Sequence, residues 1–131
     1  MRGEATSNVF NSYISFTKYI QMAKEYLGEF EELVLTMVGI LGEEAYGNAI
    51  VTEIKSRIGR DVNLSAVHIT LYRLEDKGHV KSHMGGATKS RGGRRKRYFQ
   101  LTNLGKASLR EMKQLRDELW DLSKVKLAFS A

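Results

Sequence analysis

The stretch Arg91-Gly92-Gly93-Arg94-Arg95-Lys96-Arg97-Tyr98-Phe99-Gln100-Leu101-Thr102 sets a glycine-hinged group of cations against a short alternating run. Lys96 to Leu101 alternates like a half-buried strand. Upstream, His79-Val80-Lys81-Ser82-His83-Met84 alternates as well. Between the two lies the turn-forming loop Gly85-Gly86-Ala87-Thr88-Lys89-Ser90-Arg91-Gly92-Gly93. This predicts a β-hairpin with a long tip, whose glycines permit close backbone approach. Between His79 and Arg97 there are seven Lys or Arg and no Asp or Glu, while the whole chain carries a formal charge of +6. The basic excess therefore sits in this one segment. A solvated face normally mixes both signs, so a one-sign cluster on a hairpin points to a polyanionic partner.

Toward the N-terminus the period changes from two to 3.6. Asn63 caps a helix that runs to about Lys77 and is halted by Gly78. Val67, Leu71 and Leu74 are expected inward, with Ser65, His68, Ile69, Tyr72 and Arg73 on the other side. Before it, Ile50, Val51, Ile54 and Ile58 mark a second amphipathic helix stopped by Gly59. Two short helices joined by a turn, the second with a polar and aromatic outer face, read as helix-turn-helix. Further upstream, Phe30, Leu33, Val34, Met37, Val38 and Leu41 follow the i, i+3, i+4 rule of a core helix. Glu29, Glu31 and Glu32 occupy its first turn, where they complement the positive pole of the helix. Val9, Tyr13, Phe16, Ile20, Ala23 and Leu27 make one more stripe. It reads as a peripheral helix or as an appended leader.

Beyond the hairpin, Thr102 caps a last helix with Leu109, Met112, Leu115, Leu119 and Leu122 in a stripe and Trp120 beside it. After a complete small core such a face meets the same face of a second copy, or folds back on the first helix. The fold class expected is mainly α with a small β-hairpin: a winged helix-turn-helix plus a C-terminal dimerisation helix. Its divisions are 1–23 as an N-terminal extension, 24–101 as the DNA-binding domain and 102–131 as the dimerisation helix.

Composition narrows the alternatives. At 131 residues, one modest core is expected. With no cysteine, disulfides and thiolate metal sites are excluded, and a cytoplasmic location is expected. No apolar run approaches the ~20 residues that span a bilayer, and the N-terminus lacks the continuous apolar segment of a secretory signal. Three histidines (His68, His79, His83) and no glycine fingerprint between a strand and a helix leave nothing to build catalysis on. His79 and His83 share a strand face and are read as a solvent-facing pair. No enzyme activity, cofactor or metal is expected.

The sequence resembles PadR-type transcriptional regulators, in the group with a short C-terminal part. The resemblance lies in Leu27-Gly28-Glu29-Phe30-Glu31-Glu32-Leu33-Val34-Leu35, in Ala45-Tyr46-Gly47, in Thr70-Leu71-Tyr72-Arg73-Leu74-Glu75-Asp76-Lys77-Gly78, and in Gly92 to Thr102. It runs from about Lys24 to Leu122. Two features depart from the pattern: His68 stands where the family usually has tyrosine, and Asn63-Leu64-Ser65 replaces a frequent proline-containing opening. Both bear on the operator sequence rather than the fold. The resemblance implies a dimer on double-stranded DNA that usually represses by occupying a promoter. It also implies a small-molecule effector pocket near the dimer interface, lined by Trp120, Phe129 or the N-terminal aromatics, although Trp120 also reads simply as a dimer anchor.

On that plan the third helix lies in the major groove. Ser65, Ile69 and Tyr72 are candidates for base edges, and His68 and Arg73 for bases or phosphate. Tyr72 also reads as core packing, and Arg73 as a partner of Asp76. In the wing, Lys89, Arg91, Arg94 and Arg95 lie along the backbone or enter a minor groove. Of Lys96 and Arg97, one faces DNA and the other solvent. The alternative is a winged-helix module that binds RNA or a protein partner.

Overall fold

A computed structural model describes residues 26–86 and 95–125. The expected helix over residues 9–27, the wing cations Lys89, Arg91 and Arg94, and Phe129 therefore fall largely or wholly outside the described residues.

Helix α1 spans Glu29–Leu41. Its first turn carries Glu29, Glu31 and Glu32, and the Glu31 carboxylate accepts the Gly28 N–H at 3.2 Å. Val34, Leu35, Met37 and Val38 are buried. Leu35 lies outside the single stripe expected from the sequence. It is covered because α1 packs on the other helices and also on the hairpin, so its buried arc is wider than one face.

A short 3₁₀ turn, Gly42–Glu44, leads to α2, Gly47–Ile58. Gly59 ends α2 in the left-handed conformation (φ 68°), its N–H donating to the Lys55 carbonyl at 2.9 Å. Ile58, expected on the apolar face, is exposed in that last turn. Helix α3, Leu64–Asp76, opens where Asn63 Oδ1 accepts the Ser65 N–H at 2.7 Å. It buries Val67, Thr70, Leu71 and Leu74.

Strands β1 (Val80–Met84) and β2 (Arg97–Leu101) pair antiparallel, with Val80 opposite Leu101 and Met84 opposite Arg97. A third segment joins them: the Phe99 N–H donates to the Ala45 carbonyl at 2.8 Å, and Tyr46 bridges to Tyr98. Phe99 fills the core from the hairpin's inner face.

Helix α4, Asn103–Leu122, is capped as expected, with Thr102 Oγ1 accepting the Gly105 N–H at 3.0 Å and donating to the Gly78 carbonyl at 2.6 Å. Its first half belongs to the core of its own chain. Met112 is only 7% exposed, Leu109 rests on the same cluster, and Arg116 pairs with Glu32 of α1. Met112 is thus not a free interface residue: α4 crosses α1 early enough to bury it.

His79 also departs from expectation. It is 1% exposed and precedes β1. The turn at Gly78 (φ 84°) carries it beneath α4, where its Nδ1 lies 3.2 Å from Ser108 Oγ. His83 alone faces outward, stacked on Tyr98 at 5.8 Å.

Candidate nucleic-acid interface

The outer face of α3 is centred on Ser65, Ile69 and Tyr72, spaced four and three apart, all exposed. Ile69 is 54% and Tyr72 47% exposed. Tyr72 is both packed and exposed. Its ring meets the buried Phe99 edge-on at 6.2 Å while much of it remains open.

His68 lies on the flank, half-buried. A Cβ added at Gly47 would stand 2.2 Å from its Nε2, so the imidazole faces α2 and Gly47 makes room for it. Arg73 lies on the opposite flank, where its charge acts on Glu31 and no Arg73–Asp76 pair forms. Burial alone would raise the Glu31 carboxyl. The Lys77 ammonium at 2.8 Å, the Gly28 N–H and Arg73 outweigh that, and hold its pKa below the ordinary glutamate value.

At the base of the wing each cation has a defined support. Arg95 Nε donates to the Gly85 carbonyl at 3.0 Å, bracing the two strand ends. The Lys96 ammonium sits 4.2 Å from the centre of the Tyr46 ring. Arg97 Nη1 donates to Ser82 Oγ at 3.0 Å, and Ser82 donates in turn to the Glu75 carboxylate of α3 at 2.5 Å. Arg97 is therefore on the α3 side of the hairpin, and Lys96 is turned toward the start of α2.

Sequence reasoning missed the supports Tyr46, Ser82 and Glu75. Only Ser82 had a local signal, strand alternation, which places it on one face with Arg97 once the register is known; Tyr46 precedes α2 and Glu75 lies on α3. On α4, Leu115 is half-buried, while Leu119, Trp120 and Leu122 are exposed, Leu122 at 84%.

Three helices followed by a two-stranded wing, with an exposed face on the third helix and cations at the wing base, define a winged helix-turn-helix protein. The profile of the Transcriptional regulator PadR-like family matches residues 35–111, and the chain belongs to that family. The crystal structure of a PadR family transcription regulator from hypervirulent Clostridium difficile is 30% identical, with a TM-score of 0.55 over 76% of this chain and 98% of that one. An uncharacterised protein of Lysinibacillus sphaericus is 32% identical over 87 residues, 65% of this chain and 75% of that protein. Bacillus subtilis PadR in complex with operator DNA gives a TM-score of 0.50 at 22% identity, over 61% of this chain and 46% of that one. The last likeness speaks for the fold. The chain is a transcriptional regulator, from a family of regulators rather than enzymes. No helix among the described residues is long and apolar enough to cross a membrane.

Proposed function

We propose that this cytoplasmic regulator acts as a homodimer on an inverted-repeat operator and represses by occupying a promoter. In each copy α3 enters the major groove with Ser65, Ile69 and Tyr72 toward base edges. The basic wing, 85–97, follows the neighbouring backbone or minor groove. The observation that carries this reading is the bridge from Glu75 through Ser82 to Arg97, which ties the helix and the wing base into one unit. Base edges and phosphates must be met together for specific recognition.

His68 and Arg73, on the flanks of α3, and Lys89, Arg91, Arg94, Arg95, Lys96 and Arg97 are assigned to positioning. The second half of α4 supports dimerisation, because Leu119, Trp120 and Leu122 are exposed on a helix whose first half is already packed. A small-molecule effector relieves repression by preferring the conformation unable to bind DNA.

Selection of duplexes from a random DNA pool tests the reading. The expected outcome is two symmetric half-sites about one helical turn apart, or a small multiple of that, with two copies bound. With ~3 wing phosphate contacts per copy, the log–log salt slope of binding is near −5. Monomeric binding to an asymmetric site refutes the dimer, and a flat slope removes the wing.

A further inference from the structure

Beside β2 of the hairpin, the end of α1 and the 3₁₀ turn border an open cavity of about 540 Å³, which no part of the DNA-binding reading uses. Its size falls within the ~300–1,000 Å³ of small-molecule sites. The space exists because the surrounding chain withholds side chains. Gly42 has φ 57° with nothing within 4 Å of an added Cβ, and a Cβ at Gly39 would already stand 3.1 Å from Leu101. A Cβ at Gly85 would stand 2.4 Å from the Tyr98 ring, so glycine there lets that ring lie along the wall. Val38, Phe99 and Leu101 supply the apolar lining.

Two stacked aromatic rings form one wall. The His83 ring stacks on Tyr98 with 20° between planes, and Tyr46 abuts Tyr98 edge-on at 5.6 Å. Opposite, the 3₁₀ turn places Glu43 and Glu44 in the lining. Among the described residues neither carboxylate is ion-paired, whereas Glu29, Glu31, Glu32 and Glu53 each are. Lys106 offsets one of the two charges, leaving the rim acidic in a protein that is basic as a whole.

We propose that this cavity is an effector site for a small organic cation with a flat apolar body. The flat body stacks on the His83–Tyr98 rings, as offset aromatic faces do. The amine or amidine is held by the Glu43 and Glu44 carboxylates through charge-assisted hydrogen bonds. The occupant touches both strands of the hairpin as well as the end of α1, and so fixes the wing relative to the helical core. This consequence for DNA rests on the hairpin being the DNA-contacting wing; the ligand site itself does not.

The two are measured separately. Benzamidine, neutral benzamide and anionic benzoate are titrated into ¹⁵N-labelled full-length protein without DNA. Benzamidine is expected to shift the amides of Gly39, Gly42 and Gly85, and to bind about tenfold more weakly to the E43Q/E44Q double variant, the loss of roughly one ionic hydrogen bond. Equal binding of the three compounds, shifts that cluster at Trp120 instead, or no shift at all overturns the site. DNA affinity with saturating benzamidine is the second reading, and is expected to change in wild type but not in E43Q/E44Q at the same concentration. If the amides shift while DNA affinity stays constant, the coupling through the wing is refuted. If ligand-free wild type fails to bind duplex DNA, the fault lies with the DNA-binding reading instead.

Discussion

Gly105→Ala is expected to loosen the joint between the hairpin and α4. Gly105 is buried in the first turn of α4, and an added Cβ would stand 2.1 Å from the His79 carbonyl oxygen and 3.0 Å from its carbon. Those are backbone atoms, so no side chain can swing aside. Carbon and oxygen need more than 3 Å, and α4 must retreat by about 1 Å. The same carbonyl accepts the Thr102 N–H at 3.0 Å, and the Thr102 hydroxyl holds Gly78 at 2.6 Å and caps Gly105. A retreat strains these bonds, each worth about 1 kcal/mol, and adds overpacking of roughly 1–3 kcal/mol. The helix propensity gained by alanine returns up to about 1 kcal/mol. The net loss expected is about 2–3 kcal/mol, read as a lower urea midpoint at constant m-value. Gly86→Ala, where an added Cβ meets nothing within 4 Å, is the control and stays within about 0.5 kcal/mol. If Gly105→Ala matches the control or stabilises the protein, the close contact of α4 with His79 is wrong.

Other expected outcomes concern recognition, acid stability and assembly. Ile69→Ala weakens binding about tenfold at one base-pair step while leaving the salt slope unchanged, as competition between single-base operator variants would register. A change in slope with no change in base preference would assign Ile69 to the backbone. Lys77→Met costs about 0.5–1 kcal/mol at neutral pH, because Glu31 loses its nearest cation. The Glu31 carboxyl is depressed in the folded state, so its contribution is present above the unfolded pKa and disappears as pH falls through the folded one. The gap between wild type and Lys77→Met therefore closes on acidification, and a gap that is constant with pH in denaturant titrations refutes the linkage. Trp120→Ala weakens the dimer about 30-fold or more in sedimentation equilibrium if that ring anchors the interface. An unchanged association constant excludes it as the anchor.

The elements of this fold were legible because each has its own period. The hairpin alternates, the helices repeat at 3.6, and Asn63 and Thr102 mark helix starts with side chains that do cap them. What was not legible depends on how elements cross. Leu35 is buried because α1 is covered from two sides, and Met112 because α4 passes over α1 before running free. His79 reads as an outward strand residue until the Gly78 turn is known to aim it under α4. At the candidate site, Ser65, Ile69 and Tyr72 were readable from spacing alone. His68 was not, since its imidazole direction follows from the approach of α2 and α3 at Gly47. The bridge from Glu75 through Ser82 to Arg97 needed the strand register, which alternation does not supply.

The division of α4 between two duties gives it leverage. From its tight seat at Gly105 to the exposed Leu122 the helix runs about 25 Å at 1.5 Å per residue. A 10° change of inclination at that seat carries the far end through ~4 Å. In the proposed dimer the far ends are joined, so the same small rotation respaces the two α3 helices. The reach from one half-site to the next is thereby tuned at a glycine rather than in the groove.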